Sequence, residues 1–137
     1  IMLDCGLVDL SPLKPPGGKL PADLVLCSHA HADHARGLLE LRRRFPKIPI
    51  YASEVTTQLL PLNWSHASKP LPGICQALPW RTPFEFLDGV TAELFPAGHL
   101  PGAAAILITY TPPGGTSRPY RFLYTGDFFL SNSRLVE

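Results

Sequence analysis

Cys27-Ser28-His29-Ala30-His31-Ala32-Asp33-His34 places three imidazoles and a carboxylate within six consecutive positions, from His29 to His34. The preceding run, Asp23-Leu24-Val25-Leu26-Cys27, reads as a buried strand and residues 35–45 read as a helix. The cluster therefore falls on a loop at a strand's carboxyl end, where layered α/β folds build their sites. In an extended segment alternate side chains point the same way, so His29 and His31 share one side. A bend at Ala32 then turns Asp33 and His34 toward the same volume. Imidazole nitrogen and carboxylate oxygen suit zinc and its transition-metal neighbours. Four such groups exceed what one open catalytic zinc takes from a local segment, which points to two metals. A lone histidine on an apolar face is usually a core residue, and a histidine-rich surface tract binds metal adventitiously. Neither description suits a cluster set between a strand and a helix.

At 137 residues and 45% hydrophobic content the chain is one domain or part of one, large enough to bury a core. A net charge of +1 does not advertise nucleic-acid binding by its field, although it leaves room for a locally basic groove. Cys5, Cys27 and Cys75 are odd in number and widely spaced, which fits reduced thiols in an intracellular, by default cytoplasmic, protein better than a disulfide framework. No apolar stretch reaches the ~20 residues of a membrane-spanning helix, and no signal-peptide pattern opens the chain. Ile1-Met2-Leu3-Asp4 reads as the middle of a strand, and both ends read as cut.

Asp4-Cys5-Gly6 closes the first apolar run. Asp4 is either a turn former or a carboxylate that orients a metal-bound histidine, and the sequence weighs the two about evenly. Residues 11–22 are proline- and glycine-rich and read as a loop. Leu38, Leu41 and Phe45 recur at helical spacing and Pro46 ends that helix. Arg42-Arg43-Arg44 lies in its last turn, where cations meet the negative end of the helix dipole, so a solvated face is preferred to a phosphate track. Residues 48–52 read as a short strand, with Pro49 marking its start or a sheet edge. Ser53 is placed to cap a helix that runs to about Leu60, with Val55 and Leu59 on one face and Pro61 as its stop. Residues 61–83 read as a long loop in which His66 is an ordinary surface histidine. The pattern then turns to β: 84–86 and 90–95 form a hairpin through Asp88-Gly89, and 103–111 and 120–124 form a second strand pair.

His99, in Pro96-Ala97-Gly98-His99-Leu100-Pro101-Gly102-Ala103, and Asp127, in Tyr124-Thr125-Gly126-Asp127-Phe128, also stand at strand ends beside glycines that permit close backbone approach. Together with residues 29–34 they complete an inventory. One metal could take His29, His31 and His99, a second Asp33 and His34, with Asp127 between them. Metals held in this way stand ~3.5–4 Å apart, a spacing suited to hydrolytic displacement.

In order and spacing, Leu3-Asp4-Cys5-Gly6, His29-x-His31-x-Asp33-His34, Gly98-His99 and Thr125-Gly126-Asp127 resemble the first four motifs of the metallo-β-lactamase superfamily. The phrases around His99 and Asp127 are most similar to the β-CASP nucleases, the group that contains the pre-mRNA 3′-end cleavage factor and ribonuclease J. Pro101 resembles the DNA cross-link repair branch. The resemblance implies an α/β (α+β) fold, the αββα sandwich of two facing sheets, with residues 1–137 as a partial domain. It implies two Zn²⁺ ions, or Mn²⁺, with His29, His31 and His99 on the first, Asp33 and His34 on the second, Asp127 bridging and Asp4 supporting the shell. Asp33, His34 and Asp127 would be the catalytic set, and the ions would present a hydroxide to the scissile phosphorus of RNA, favoured, or DNA. Family members carry, after the aspartate matching Asp127, an inserted β-CASP domain with a general-acid histidine and then a last zinc-binding histidine. Neither has a counterpart among residues 128–137.

The alternatives are another hydrolase of this fold, acting on a thioester, lactone or β-lactam, and a non-catalytic homologue that binds nucleic acid or a partner. Every ligand expected in this span is present, which lowers the last reading. The partner implied is nucleic acid, without a membrane, and a homo-oligomer or a processing complex is the candidate assembly. The compartment is cytoplasmic, or nuclear in a eukaryote.

Overall fold

Strand β2 (Val25–Leu26) has apolar neighbours on both sides of its backbone, so both of its faces must be covered. In the computed structural model, which describes residues 1–13, 21–64, 73–114 and 118–130, they are covered by different layers. β2 lies inside a parallel sheet of order β1 (Met2–Leu3), β2, β3 (Ile50–Ser53) and β4 (Gln76–Leu78). The register pairs Met2 with Val25, Val25 with Ile50 and Tyr51 with Gln76. Val25, Cys27, Ile50 and Ala52 face Leu38, Leu41 and Leu60 from the helical layer. Leu24, Leu26 and Leu78 face Leu94, Ala104 and Ile106 of a second sheet. The period of two along β2 thus divides one strand between two cores.

The second sheet is antiparallel, in the order β5 (Phe84–Leu87), β6 (Val90–Pro96), β7 (Ala104–Tyr110) and β8 (Tyr120–Tyr124). Its first turn is Asp88-Gly89, with Gly89 at φ +70°, as the sequence predicts. The expected α/β class with two facing sheets is observed, and the described residues stack as helices, parallel sheet and antiparallel sheet.

Several local expectations change. The helix expected over 35–45 is two: α1 (Ala32–Ala35) and α2 (Leu38–Arg44). The break lies where the Gly37 N–H donates to the Cys5 carbonyl, which fastens the chain to the end of β1. Ser53 does cap α3 (Glu54–Leu59), accepting from the Thr56 N–H at 3.1 Å. The buried face of α3 carries Thr56 rather than Val55 and Leu59; α3 itself ends at Leu59, before Pro61, as expected, and a 3₁₀ turn follows over Leu60–Trp64. A 3₁₀ turn tolerates proline near its start because that N–H is unpaired there anyway. The long loop of 61–83 contains β4, three residues too short to show a period in sequence. Pro49 precedes β3, which is an inner strand. His66 lies outside the described residues. Arg42 donates to the Pro46 and Ile48 carbonyls and Arg44 pairs with Glu40 at 2.7 Å, in keeping with a structural surface.

Candidate metal centre

The site forms where the carboxyl ends of β1 and β2 meet the loop between β6 and β7 and the segment after β8. His29 and His31 lie on the segment after β2, His31 in extended backbone, and a single helical turn, α1, carries Asp33 and His34. The loop after β6 delivers His99, and its close is tied to the His29 loop through Ala104 N–H donating to the Ser28 carbonyl. Asp127 follows Gly126, at φ +54°, where an added Cβ would stand 2.9 Å from Ser28 Cβ, so a side chain there would push the carboxylate away.

Of the six residues expected as ligands, His29, His31, His99 and Asp127 form one close group, with His34 beside Asp127 and Asp33 beside His34. His31 Nδ1 stands 3.2 Å from His29 Nε2 and 3.1 Å from His99 Nε2. With Asp127 these three offer ligand atoms that all lie within 4.8 Å of one another. At zinc–nitrogen distances of ~2.0–2.1 Å, two nitrogens of a tetrahedral site are separated by ~3.3 Å, which the 3.2 Å and 3.1 Å nitrogen pairs match. Asp127 Oδ2 lies 3.6 Å from His99 Nε2 and 4.0 Å from His29 Nε2, whereas Oδ1 lies 3.5 Å from His34 Nε2. His34 Nε2 is also 3.8 Å from Asp33 Oδ2. The Asp127 carboxylate is thus divided between two groups of nitrogens.

Behind the convergent atoms lies Asp4. Its Oδ1 accepts from the Ser28 N–H at 2.6 Å, and its Oδ2 accepts from Ser28 Oγ at 2.7 Å, Tyr124 OH at 2.7 Å and His34 Nδ1 at 2.8 Å. These contacts hold Asp4 at φ +58°, a left-handed conformation that aspartate tolerates better than most residues. Gly6 makes the approach possible, because a Cβ there would overlap the Asp33 carbonyl. The network also sets tautomers. Ser28 Oγ–H is committed to Asp4, so Ser28 Oγ accepts from His29 Nδ1 at 3.0 Å, leaving the His29 Nε2 lone pair directed into the site. Likewise His34 Nδ1–H donates to Asp4 and its Nε2 faces Asp127 and Asp33.

Burial pushes the pKa of His29 down to about 4, and the neighbouring imidazole of His34 adds to this. For His34 burial also acts downward, but the hydrogen bond and charge of Asp4, with Asp127 and Asp33, outweigh it and raise the net value. Tyr124 is raised by burial and by its bond to Asp4, and stays a donor. A cavity of about 490 Å³, lined in part by Leu7, Leu13, Asp33, His34 and Tyr124, opens beside the His34 side. Sequence reasoning missed Ser28 and Tyr124. A hydroxyl next to a ligand histidine was a usable signal for Ser28; Tyr124, at the end of a strand, carried none.

Residues 1–129 match the family model described as the β-lactamase superfamily domain, and the chain belongs to the metallo-β-lactamase superfamily. An uncharacterized protein of Synechocystis sp. is 55% identical over 100% of the chain, which spans 24% of that relative. The probable RNase MJ4 of Methanocaldococcus jannaschii is 29% identical over 100% of the chain and 35% of its own length. A DNA cross-link repair protein of Saccharomyces cerevisiae is 32% identical over 80% of the chain and 17% of its own length. In fold, the chain is similar to a subclass B3 metallo-β-lactamase from a soil metagenome library, with a TM-score of 0.54, 23% identity, and coverage of 76% of this chain and 41% of that one. The chain therefore spans about a third or less of the curated relatives named here. Among the described residues no helix is long and apolar enough to cross a membrane.

Proposed function

We propose that the chain carries the metal centre of a β-CASP-type nuclease, a metal-dependent hydrolase of phosphodiester bonds in nucleic acid, with RNA preferred to DNA. The division of Asp127 between His34 on one oxygen and His29 and His99 on the other supports this most directly. In this reading His29, His31 and His99 hold one ion, Asp33 and His34 hold a second, and Asp127 is shared. The ions are Zn²⁺, with Mn²⁺ as the alternative, and when bound they supply Lewis acidity that activates water and offsets charge on phosphate oxygens. Asp4 orients His34, and Ser28 fixes the tautomer of His29, so both imidazoles present lone pairs without reorganising. Asp33 and Asp127 are exposed, so their carboxylates would have to be ordered by a second ion.

The preference for RNA rests on the relative named as a probable RNase, which aligns along the whole chain, whereas the DNA-repair relative aligns along 80% of it. Cys5, Cys27 and Cys75 are all free thiols, in keeping with a reducing compartment, the cytoplasm or the nucleus of a eukaryote. The test is cleavage of labelled RNA and single-stranded DNA by the full-length protein in Zn²⁺ or Mn²⁺, with Asp33→Ala as the contamination control. RNA cleavage that vanishes in the variant is expected. Cleavage of DNA alone would reverse the substrate preference, and cleavage of neither would remove the nuclease reading.

A further inference from the structure

Four polar side chains are fully buried among the described residues: Ser28, His29, Ser53 and Thr56. Ser28 and His29 belong to the metal centre. Ser53 and Thr56 are not among the convergent metal-site residues, yet a buried hydroxyl left without a partner is destabilising. Both find the same one. Ser53 Oγ and Thr56 Oγ1 donate to the Gly102 carbonyl at 2.6 Å and 2.8 Å, filling both of its lone-pair directions. Gly102 closes the loop that carries His99, in which Ala103 N–H donates to the Leu100 carbonyl and Ala97 N–H to the Ala103 carbonyl. Two hydroxyls, one on the residue that caps α3 and one in its first turn, therefore fix the end of the His99 loop.

The same segment reaches the other ligand loop. Asn63 Nδ2, on the 3₁₀ turn that continues α3, donates to the Ala30 carbonyl at 2.7 Å, between His29 and His31. One step further, Trp64 Nε1 donates to the Arg36 carbonyl at the end of α1. Residues 53–64 contribute none of the six expected ligands, but they bond to the backbone of every segment that supplies a histidine.

We infer that Ser53, Thr56 and Asn63 are positioning residues of the metal centre: by bonding the Gly102 and Ala30 carbonyls they hold the His99 and His29–His31 loops at the separation that one ion requires. The inference rests on the metal-centre reading above. The physical reason is that His31 Nδ1 must stand ~3.3 Å from nitrogens on two different loops, and a loop free to shift by an ångström would have to be reordered by the ion itself. Outer-shell contacts of this kind typically carry a 10–100-fold effect on metal affinity.

The test is Co²⁺ titration of the full-length protein, followed by visible absorption and competition with a chelator, on wild type, Ser53→Ala/Thr56→Val, Thr56→Val, Thr56→Ser and His99→Ala. Circular dichroism reports folding of each. The double variant, folded, is expected to bind the tighter Co²⁺ roughly tenfold or more weakly, with a weakened tetrahedral band. Thr56→Ser, which keeps the hydroxyl, is expected to match wild type where Thr56→Val does not. If His99→Ala weakens Co²⁺ binding but the folded double variant binds like wild type, the positioning role is overturned and the metal centre stands. If the double variant does not fold, the Val–Ser pair decides: equal affinities overturn the inference, and a deficit confined to Val supports it. Unchanged binding in His99→Ala would instead overturn the metal-centre reading on which the inference depends.

Discussion

His29 is wholly buried and bonded through Ser28 to Asp4, whereas Asp33 and Asp127 leave 79% and 47% of their side chains in solvent. The two sides of the centre share one carboxylate but differ in how much is arranged before any ion arrives. On the His29, His31 and His99 side, His29 has its tautomer and orientation set by the protein. On the other side His34 is held in that way, by Asp4, but the remaining groups there are exposed carboxylates rather than the imidazoles of His31 and His99. An ion that must order exposed carboxylates forfeits part of its binding energy to their lost freedom. One tight and one weaker ion is therefore the expected outcome.

The largest effect should come from His99→Ala, which removes one of three converging nitrogens. Affinity for the tighter zinc is expected to fall by more than the ~100-fold that outer-shell changes reach, as read by chelator competition. An unchanged tight site would remove His99 from the ligand set. Next, Asp33→Ala should lower the stoichiometry from two ions to one while leaving the tighter ion in place, measured by elemental analysis after dialysis. Loss of both ions together would show that the two sides are a single cooperative unit.

A smaller effect is expected in the metal-free protein as pH is lowered. His29 has its pKa lowered to about 4, against 6.5 for an unperturbed histidine, so its contribution to stability is fully present above ~6.5 and is lost as pH falls toward 4. His34, with its pKa raised, acts in the opposite sense: its contribution is present at low pH and fades as pH rises through the raised value. The urea midpoint should therefore fall between pH 7 and pH 4.5, and His29→Gln should flatten that fall. An equal slope in both proteins would mean that His29 is not the desolvated group.

The smallest effect concerns the surface far from this contrast. Each phosphate contact contributes roughly −0.9 to the slope of log affinity against log salt for duplex DNA, and ~−0.7 for single strands. With Arg42 bonded to Pro46 and Ile48 and Arg44 to Glu40, replacing Arg42, Arg43 and Arg44 by Gln should change the slope for single-stranded RNA by less than about one such contact. A change of about two contacts or more would make the arginines a phosphate track.

The gathering of His29, His31, Asp33, His34, His99 and Asp127 was legible because metal chemistry is written in side-chain type, and four of them fall within one six-residue stretch. The Asp88-Gly89 hairpin and the Ser53 cap were legible for the same reason: each is a contact made within four residues. What the tertiary structure alone decided was made across distance. Asp4 was an even choice between turn and support until Ser28, His34 and Tyr124, from 24 to 120 residues away, were seen to converge on it. Thr56 instead of Val55 became the buried face of α3 because the Gly102 carbonyl, 46 residues on, needed a donor. A periodicity reports which side of an element is apolar, but it cannot report which buried polar group waits on the neighbouring element, and that group is what fixes a ligand in place.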